Sequence, residues 1–200
     1  GVAALMFRSL ARLRAVVISW RLCAPVLLAP ALLAAGNAYA QAGASTEDVV
    51  KAAYLSKLHN YVEWPARAAP PAGGRTVIGI VGAGEVASHL AQLAAVRDPV
   101  KGTLAVRQLR NGDPLDGIHI LYLGDGYAAR AAPMIEQAAA RSILVVTGSE
   151  GALARGSVIN FRLLDERVRF DISLDSADKA GLRVSSQLLA LAASVIKEKR

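Results

Sequence analysis

Between Gly156 and Leu174 the chain alternates so regularly that a β-hairpin is the one local structure that satisfies it. Val168, Phe170, Ile172 and Leu174 occupy every second position, with Arg167, Arg169, Asp171 and Ser173 between them. A strand sends successive side chains to opposite faces, so this segment has one apolar and one polar face. With Asp165-Glu166 as a two-residue turn, Leu163 falls opposite Val168, Phe161 opposite Phe170 and Ile159 opposite Ile172. All three pairs are apolar and share one side. A one-residue slip would turn every one of them toward water, so the side chains set the register. Asp-Glu, a weak turn dipeptide, does not.

The other face of this hairpin carries Asn160, Arg162, Arg169 and Asp171. Arg162 and Arg169 are directly opposed, which is unfavourable unless a carboxylate such as Asp171 stands between them. Beyond the hairpin, Leu188, Leu189, Leu191, Ala192 and Ile196 have helical spacing, and Ser185 or Ser186 can cap that helix.

Upstream, strand and helix signals alternate. Ser45–Asp48 opens a first helix as a capping box, with Val50, Tyr54, Leu58 and Tyr61 on one face and Leu55 and Val62 beside them. Lys51, Lys57 and Glu63 are expected to face water, and Pro65 to end the helix at Glu63-Trp64. Thr76–Val81 reads as a strand, Glu85–Val96 as a helix with Val86, Leu90 and Leu93 inward, and Leu104–Leu109 as a strand near an edge. Ile118–Leu123 and Ile143–Thr147 are continuous apolar runs, the pattern of strands buried on both faces. Ala128–Arg141 supplies the crossover helix between them, interrupted early by Pro133. The order β-α-β-β-α-β, then hairpin and helices, predicts an α/β fold. It is a single layered domain with a mixed, mostly parallel central sheet, a C-terminal β-hairpin and flanking helices. The short Arg110–Gly117 link leaves the strand order at that point open.

Residues 1–40 are expected to be a cleaved secretory signal peptide, leaving residues 41–200 as the domain. Arg8, Arg12, Arg14 and Arg21 precede the apolar run Leu22–Ala35, and Ala38-Tyr39-Ala40 has the small-x-small form of a cleavage site. The run is too short and too interrupted by proline for a comfortable membrane span. All sixteen acidic residues but nineteen of the twenty-three basic ones follow residue 40, so the net charge falls from +7 to +3 on removal. No stripe of basic and aromatic residues remains, which argues against nucleic acid as a partner. The only cysteine, Cys23, lies inside the removed segment, so no disulfide or thiol chemistry is expected of the mature chain.

Several motifs invite a catalytic reading and fall short of one. Gly82-Ala83-Gly84-Glu85-Val86-Ala87 fits the dinucleotide-binding turn between strand and helix. No acidic residue follows the next strand to hold a ribose; Arg107 and Arg110 stand there instead. Thr147-Gly148-Ser149-Glu150-Gly151 lacks the first glycine of a nucleophile elbow. His59, His89 and His119 have no metal-ligand spacing, and His119 reads as a hydrogen-bonded core histidine. Asp113 and Asp116 flank a turn that they are expected to hold. The chain is accordingly expected not to be an enzyme and to carry no cofactor or metal.

A wider pattern is carried by Lys51-Ala52-Ala53-Tyr54-Leu55-Ser56-Lys57 leading to Tyr61-Val62-Glu63-Trp64-Pro65. It continues through His119–Leu123, Ile143–Thr147, Gly156–Phe161 and Val168–Ile172, and ends in Ala180-Gly181-Leu182-Arg183-Val184-Ser185-Ser186-Gln187-Leu188-Leu189. In these segments the chain resembles the YfiR-like family of periplasmic repressors of inner-membrane diguanylate cyclases. The resemblance implies a periplasmic protein that binds the cyclase's periplasmic sensor region, lowering cyclic di-GMP and biofilm formation. It also implies an outer-membrane lipoprotein as a second partner, and a homodimer stays open. Some members carry disulfide-forming cysteines, which the mature chain lacks, and Asp171 stands where many have glutamate. The expected partner-binding residues are Glu63, Trp64, Arg162, Arg169 and Asp171: a large aromatic with a rim of charges. Two alternatives are a small-ligand sensor with a pocket at the carboxyl ends of the central strands, and a dinucleotide-binding enzyme built on Gly82–Ala87.

Export provides the first test. N-terminal sequencing of periplasmic extract should give chains that begin at Gln41. Recovery of uncleaved chain alone, in cytosol or membrane, would remove the export expectation.

Overall fold

In a computed structural model, residues 46–97 and 103–197 are described. The expected signal peptide and the Ser45 cap lie outside them. A seven-stranded sheet runs through the domain. Its strands are β2 (Thr76–Val81), β3 (Leu104–Leu109), β4 (Ile120–Leu123), β5 (Leu144–Thr147), β6 (Ile159–Leu164), β7 (Arg167–Ser173) and β9 (Ser194–Ile196). Their order is β3-β2-β4-β5-β6-β7-β9, and a separate two-stranded ribbon joins β1 (Val62–Glu63) to β8 (Arg183–Val184). Pairing is parallel from β3 to β6, antiparallel between β6 and β7, and parallel again between β7 and β9.

The hairpin register follows the apolar pairs. Ile159 faces Ile172, Phe161 faces Phe170, and Leu163 faces Val168. Asp165 and Glu166 both take positive φ, 50° and 58°. This is the mirror-image turn that matches strand twist, here built without glycine. The local cost is borne by the phenylalanine layer, since Phe161 and Phe170 are fully buried.

Two apolar layers flank the sheet. On one face lie α1 (residues 46–58), α2 (Gly84–Arg97), α4 (Leu174–Lys179) and α5 (Ser186–Leu191). The other face carries α3 (Ala132–Ala140), with Met134, Ile135 and Ala138 packed on Leu121, Leu123 and Val145. The link from β3 to β4 contains no helix, yet β4 pairs with β2. Leu115 and Ile118 fill the helix's place in that layer. A loop can make this crossover because it returns two apolar anchors to the sheet.

Several local expectations are corrected. The first helix stops at residue 58, because Val62 and Glu63 pair with Val184 and Arg183 in the ribbon, so Trp64 follows a strand. Its buried stripe runs through Ala52, Leu55 and Leu58, while Val50, Tyr54 and Tyr61 are only partly covered. Pro133 starts α3 rather than interrupting it, since a missing N–H costs nothing in the first turn. The C-terminal helix is also shorter than its periodicity suggests. Ser185 caps α5 by accepting the Leu188 N–H, but Ile196 lies on β9. The Ala193 N–H donates to the Phe170 carbonyl, and β-branched Val195 and Ile196 extend the sheet beside β7. Open sheet edge outweighed helix spacing there.

The strained turn gives a direct test. Glu166→Gly should raise stability by about 1 kcal/mol, by removing one left-handed side-chain clash. Urea denaturation should show a higher midpoint at unchanged slope; an unchanged or lower midpoint would show that the turn is not strained.

Candidate functional site

The layer carrying α3 ends at β5. Beyond it, β6, β7 and β9 turn a polar face outward that no helix of the described residues covers. A row of polar side chains crosses this face in register: Thr147, Asn160, Asp171 and Ser194. The Thr147 hydroxyl donates to Asn160 Oδ1 at 2.7 Å and lies 2.9 Å from the Ser157 hydroxyl, which in turn donates to the Ile159 carbonyl at 2.8 Å. These groups are buried, and their mutual bonds offset the cost of removing them from water.

Arg162 and Arg169 are direct cross-strand neighbours, and Asp171 Oδ2 accepts from Arg162 Nε at 3.1 Å. A carboxylate therefore offsets the charge of Arg162 beside its opposed neighbour Arg169. Its other oxygen, Oδ1, is buried and meets no donor among the described residues. On this face the exposed apolar side chains are Leu164 and Ile196, while the exposed Leu163 and Val195 turn to the opposite face, where α5 carries Leu191. A patch of this kind at a sheet edge marks contact with another molecule more often than scattered single residues do.

Glu63 and Trp64 do not join this cluster. Arg162 lies beyond the carboxyl end of β5, since Asn160 already pairs with its last residue, Thr147. Pro65, next to Trp64, lies against Gly181, which also borders Ser142 just before the amino end of β5. Trp64 is packed against the core, with its indole N–H buried and without an acceptor among the described residues. Glu63 approaches Arg183 at 3.9 Å, with both side chains largely exposed, a contact of little energetic weight.

At the carboxyl ends of β4 and β5 a cleft of about 620 Å³ opens. Glu47, Asp125, Glu150, Asn160, Arg162 and Asp171 supply its polar lining. Lys51, expected at the surface, is buried here. Its ammonium meets Glu47 Oε1 at 2.7 Å and Asp125 Oδ2 at 3.4 Å, tying α1 to the turn after β4. The Glu47–Lys51 spacing of four residues was legible in the chain, but Asp125 came from a distant segment. Burial raises the Asp48 carboxyl pKa, and burial with the nearby Asp125, Asp48 and Glu47 charges raises that of the Tyr122 hydroxyl.

The remaining motifs have structural roles. Gly82 has φ 69°, and the Tyr127 ring occupies the space where its Cβ would stand. The turn that resembled a dinucleotide cradle is filled by this side chain. Ser149 Oγ accepts the Gly126 N–H at 3.0 Å, Asp113 accepts the Arg110 N–H at 2.8 Å, and Asp116 pairs with Arg141 at 3.1 Å. His119 Nδ1 accepts the Val77 N–H at 3.0 Å, so that nitrogen carries no proton, and burial lowers the histidine's pKa. The unfolded chain, with a value near 6.5, takes up the proton first. The stabilisation is therefore complete above that value and is lost as pH falls through the lower folded one. Melting curves at pH 7.5 and 5.5, in the protein and in His119→Asn, check this. The asparagine oxygen can replace Nδ1, so the variant should lose less stability on acidification; identical pH dependence would refute the assignment.

No curated protein matches the chain. Among solved structures, a conserved domain protein from Vibrio cholerae O1 biovar El Tor strain N16961 is similar at 16% identity and TM-score 0.46, over 60% of this chain and 55% of that one. A domain described as an ABC domain in complex with L-Trp, from Streptococcus pneumonia, is similar at 10% identity and TM-score 0.45, again over 60% and 55%. The chain thus spans little more than half the length of these two structures. Among the described residues, no helix is long and apolar enough to cross a membrane. The model of the family described as YfiR/HmsC-like matches residues 48–193, from α1 to the residue before β9. That match includes every strand of the sheet except β9, together with the hairpin and both flanking layers, and the chain belongs to the YfiR/HmsC-like family.

Proposed function

We propose that this chain is a periplasmic regulator that binds the periplasmic sensor region of an inner-membrane diguanylate cyclase and represses it, lowering cyclic di-GMP and biofilm formation. Family membership over residues 48–193 is the observation that carries this reading. The uncovered face of β6, β7 and β9 supports it with a surface of suitable composition. Leu164 and Ile196 offer apolar area, and Arg162, Arg169 and Asp171 offer charge that fixes orientation. An outer-membrane lipoprotein is the second partner that the same reading names, competing for the repressor. Glu63 and Trp64 belong to a different end of the sheet, so they would serve a separate contact.

Arg169 is exposed on the outer face of the hairpin, so Arg169→Glu should change the melting temperature little, within about 0.5 kcal/mol. It should still weaken binding to the cyclase's periplasmic domain and raise cellular cyclic di-GMP. Asp171→Lys should weaken binding too, but at a stability cost, because it leaves Arg162 opposed by two cations. Calorimetry on the purified pair beside a melting curve separates the two effects. Unaltered affinity in the folded Arg169→Glu protein would exclude this face as the docking surface.

A further inference from the structure

We infer that the cleft at the carboxyl ends of β4 and β5 binds an extended peptide segment rich in lysine or arginine, which adds to β6 as a strand. The cleft borders the proposed cyclase-binding face and shares Arg162, Asp171 and Ile196 with it, but the inference does not depend on the cyclase being the partner.

The argument begins with a step in the sheet. β6 runs from Ile159 to Leu164, but only Ile159 and Asn160 pair with β5, which ends at Thr147. On the β7 side all six residues are paired. Phe161–Leu164 therefore have a strand neighbour on one side only, and no backbone partner on the other among the described residues. Four residues of strand span roughly 13 Å. Unpaired strand edges are templates for another chain, and natural proteins usually cover or blunt them.

This edge is neither covered nor exposed on a flat flank. Phe161, Arg162 and Leu163 line the cleft of about 620 Å³, and the β5–β6 connection forms its opposite wall. A peptide continuing the line of β5 would lie in the cleft with β6 on one side and that wall on the other. Charge selects the peptide. Glu47, Asp125, Glu150 and Asp171 line the cleft against the single cation Arg162, with Lys51 beneath offsetting one more. Asp171 keeps one buried oxygen without a donor, next to the Arg162 pair. A lysine or arginine side chain projecting from an added strand would supply that donor.

Hydrogen exchange on the purified full chain tests this with defined probes. These are short acetylated, amidated peptides of alternating lysine and valine, the same with glutamate for lysine, and the lysine peptide N-methylated at alternate residues. The lysine peptide should bind saturably and slow exchange of amides within Phe161–Leu164. The glutamate peptide should bind about tenfold more weakly, and N-methylation of the edge-facing residues should abolish the protection. Glu150→Lys removes a carboxylate from the cleft wall and should weaken the lysine peptide several-fold without lowering the melting temperature. Equal binding of the lysine and glutamate peptides, or binding without protection at Phe161–Leu164, would overturn the inference; so would an absence of binding. If the peptide fails while Arg169→Glu still raises cyclic di-GMP, the inference falls and the regulatory reading stands.

Discussion

The aromatic layer between α1 and the hairpin holds the rest of the domain in place. Tyr54 on α1 meets Phe161 at 5.8 Å and Phe170 edge-on at 5.5 Å, and Phe161 meets Tyr122 of β4 at 6.1 Å. Four rings thus join the first helix, the central sheet and the hairpin. Buried aromatics contribute on the order of 1.5–3 kcal/mol each through area alone, with a further increment from edge-to-face geometry. That gain tolerates a hairpin turn made of two left-handed non-glycine residues and seats β7 where β9 can join it.

The layer also explains why the two faces of the hairpin differ. Rings and helices cover one side around Phe161, Phe170 and Ile172, so the chain's polar residues on β6 and β7 are driven to the other. There the β5–β6 connection supplies a single 3-10 turn, Leu153–Arg155, and no α-helix to cover them. A doubly wound sheet would place another helix in that position. Its place is taken by the polar row from Thr147 to Ser194, the Arg162–Asp171 pair and the exposed Leu164 and Ile196 beside them. The candidate interface and the cleft follow from this one omission.

Lys51 shows how a tertiary contact overrides a local pattern. Its place on α1 is beside the buried stripe, and a lysine there ordinarily reaches water by extending its stem. Here the turn after β4 brings Asp125 across the stem's end, while Glu47 closes from one helical turn away. The ammonium is satisfied without solvent, so the residue is buried and locks α1 over the carboxyl ends of the strands.

The sequence by itself determined the α/β class, the order of strands and helices from Thr76 to Thr147, the hairpin register and the need for a carboxylate such as Asp171 beside the opposed arginines. Each rests on short-range periodicity or on pairs fixed by a two-residue turn, and such patterns are written in neighbouring residues. Tertiary structure alone decided that β4 passes over to β2, that Ile196 ends in a strand and that Lys51 is buried. It also separated Trp64 from Arg162 and made the step at which β6 outruns β5. Those outcomes depend on contacts between segments far apart in the chain, such as Phe170 with Ala193 or Lys51 with Asp125. Their energies exceed the local preferences that the sequence displays, and no window of neighbouring residues contains both partners.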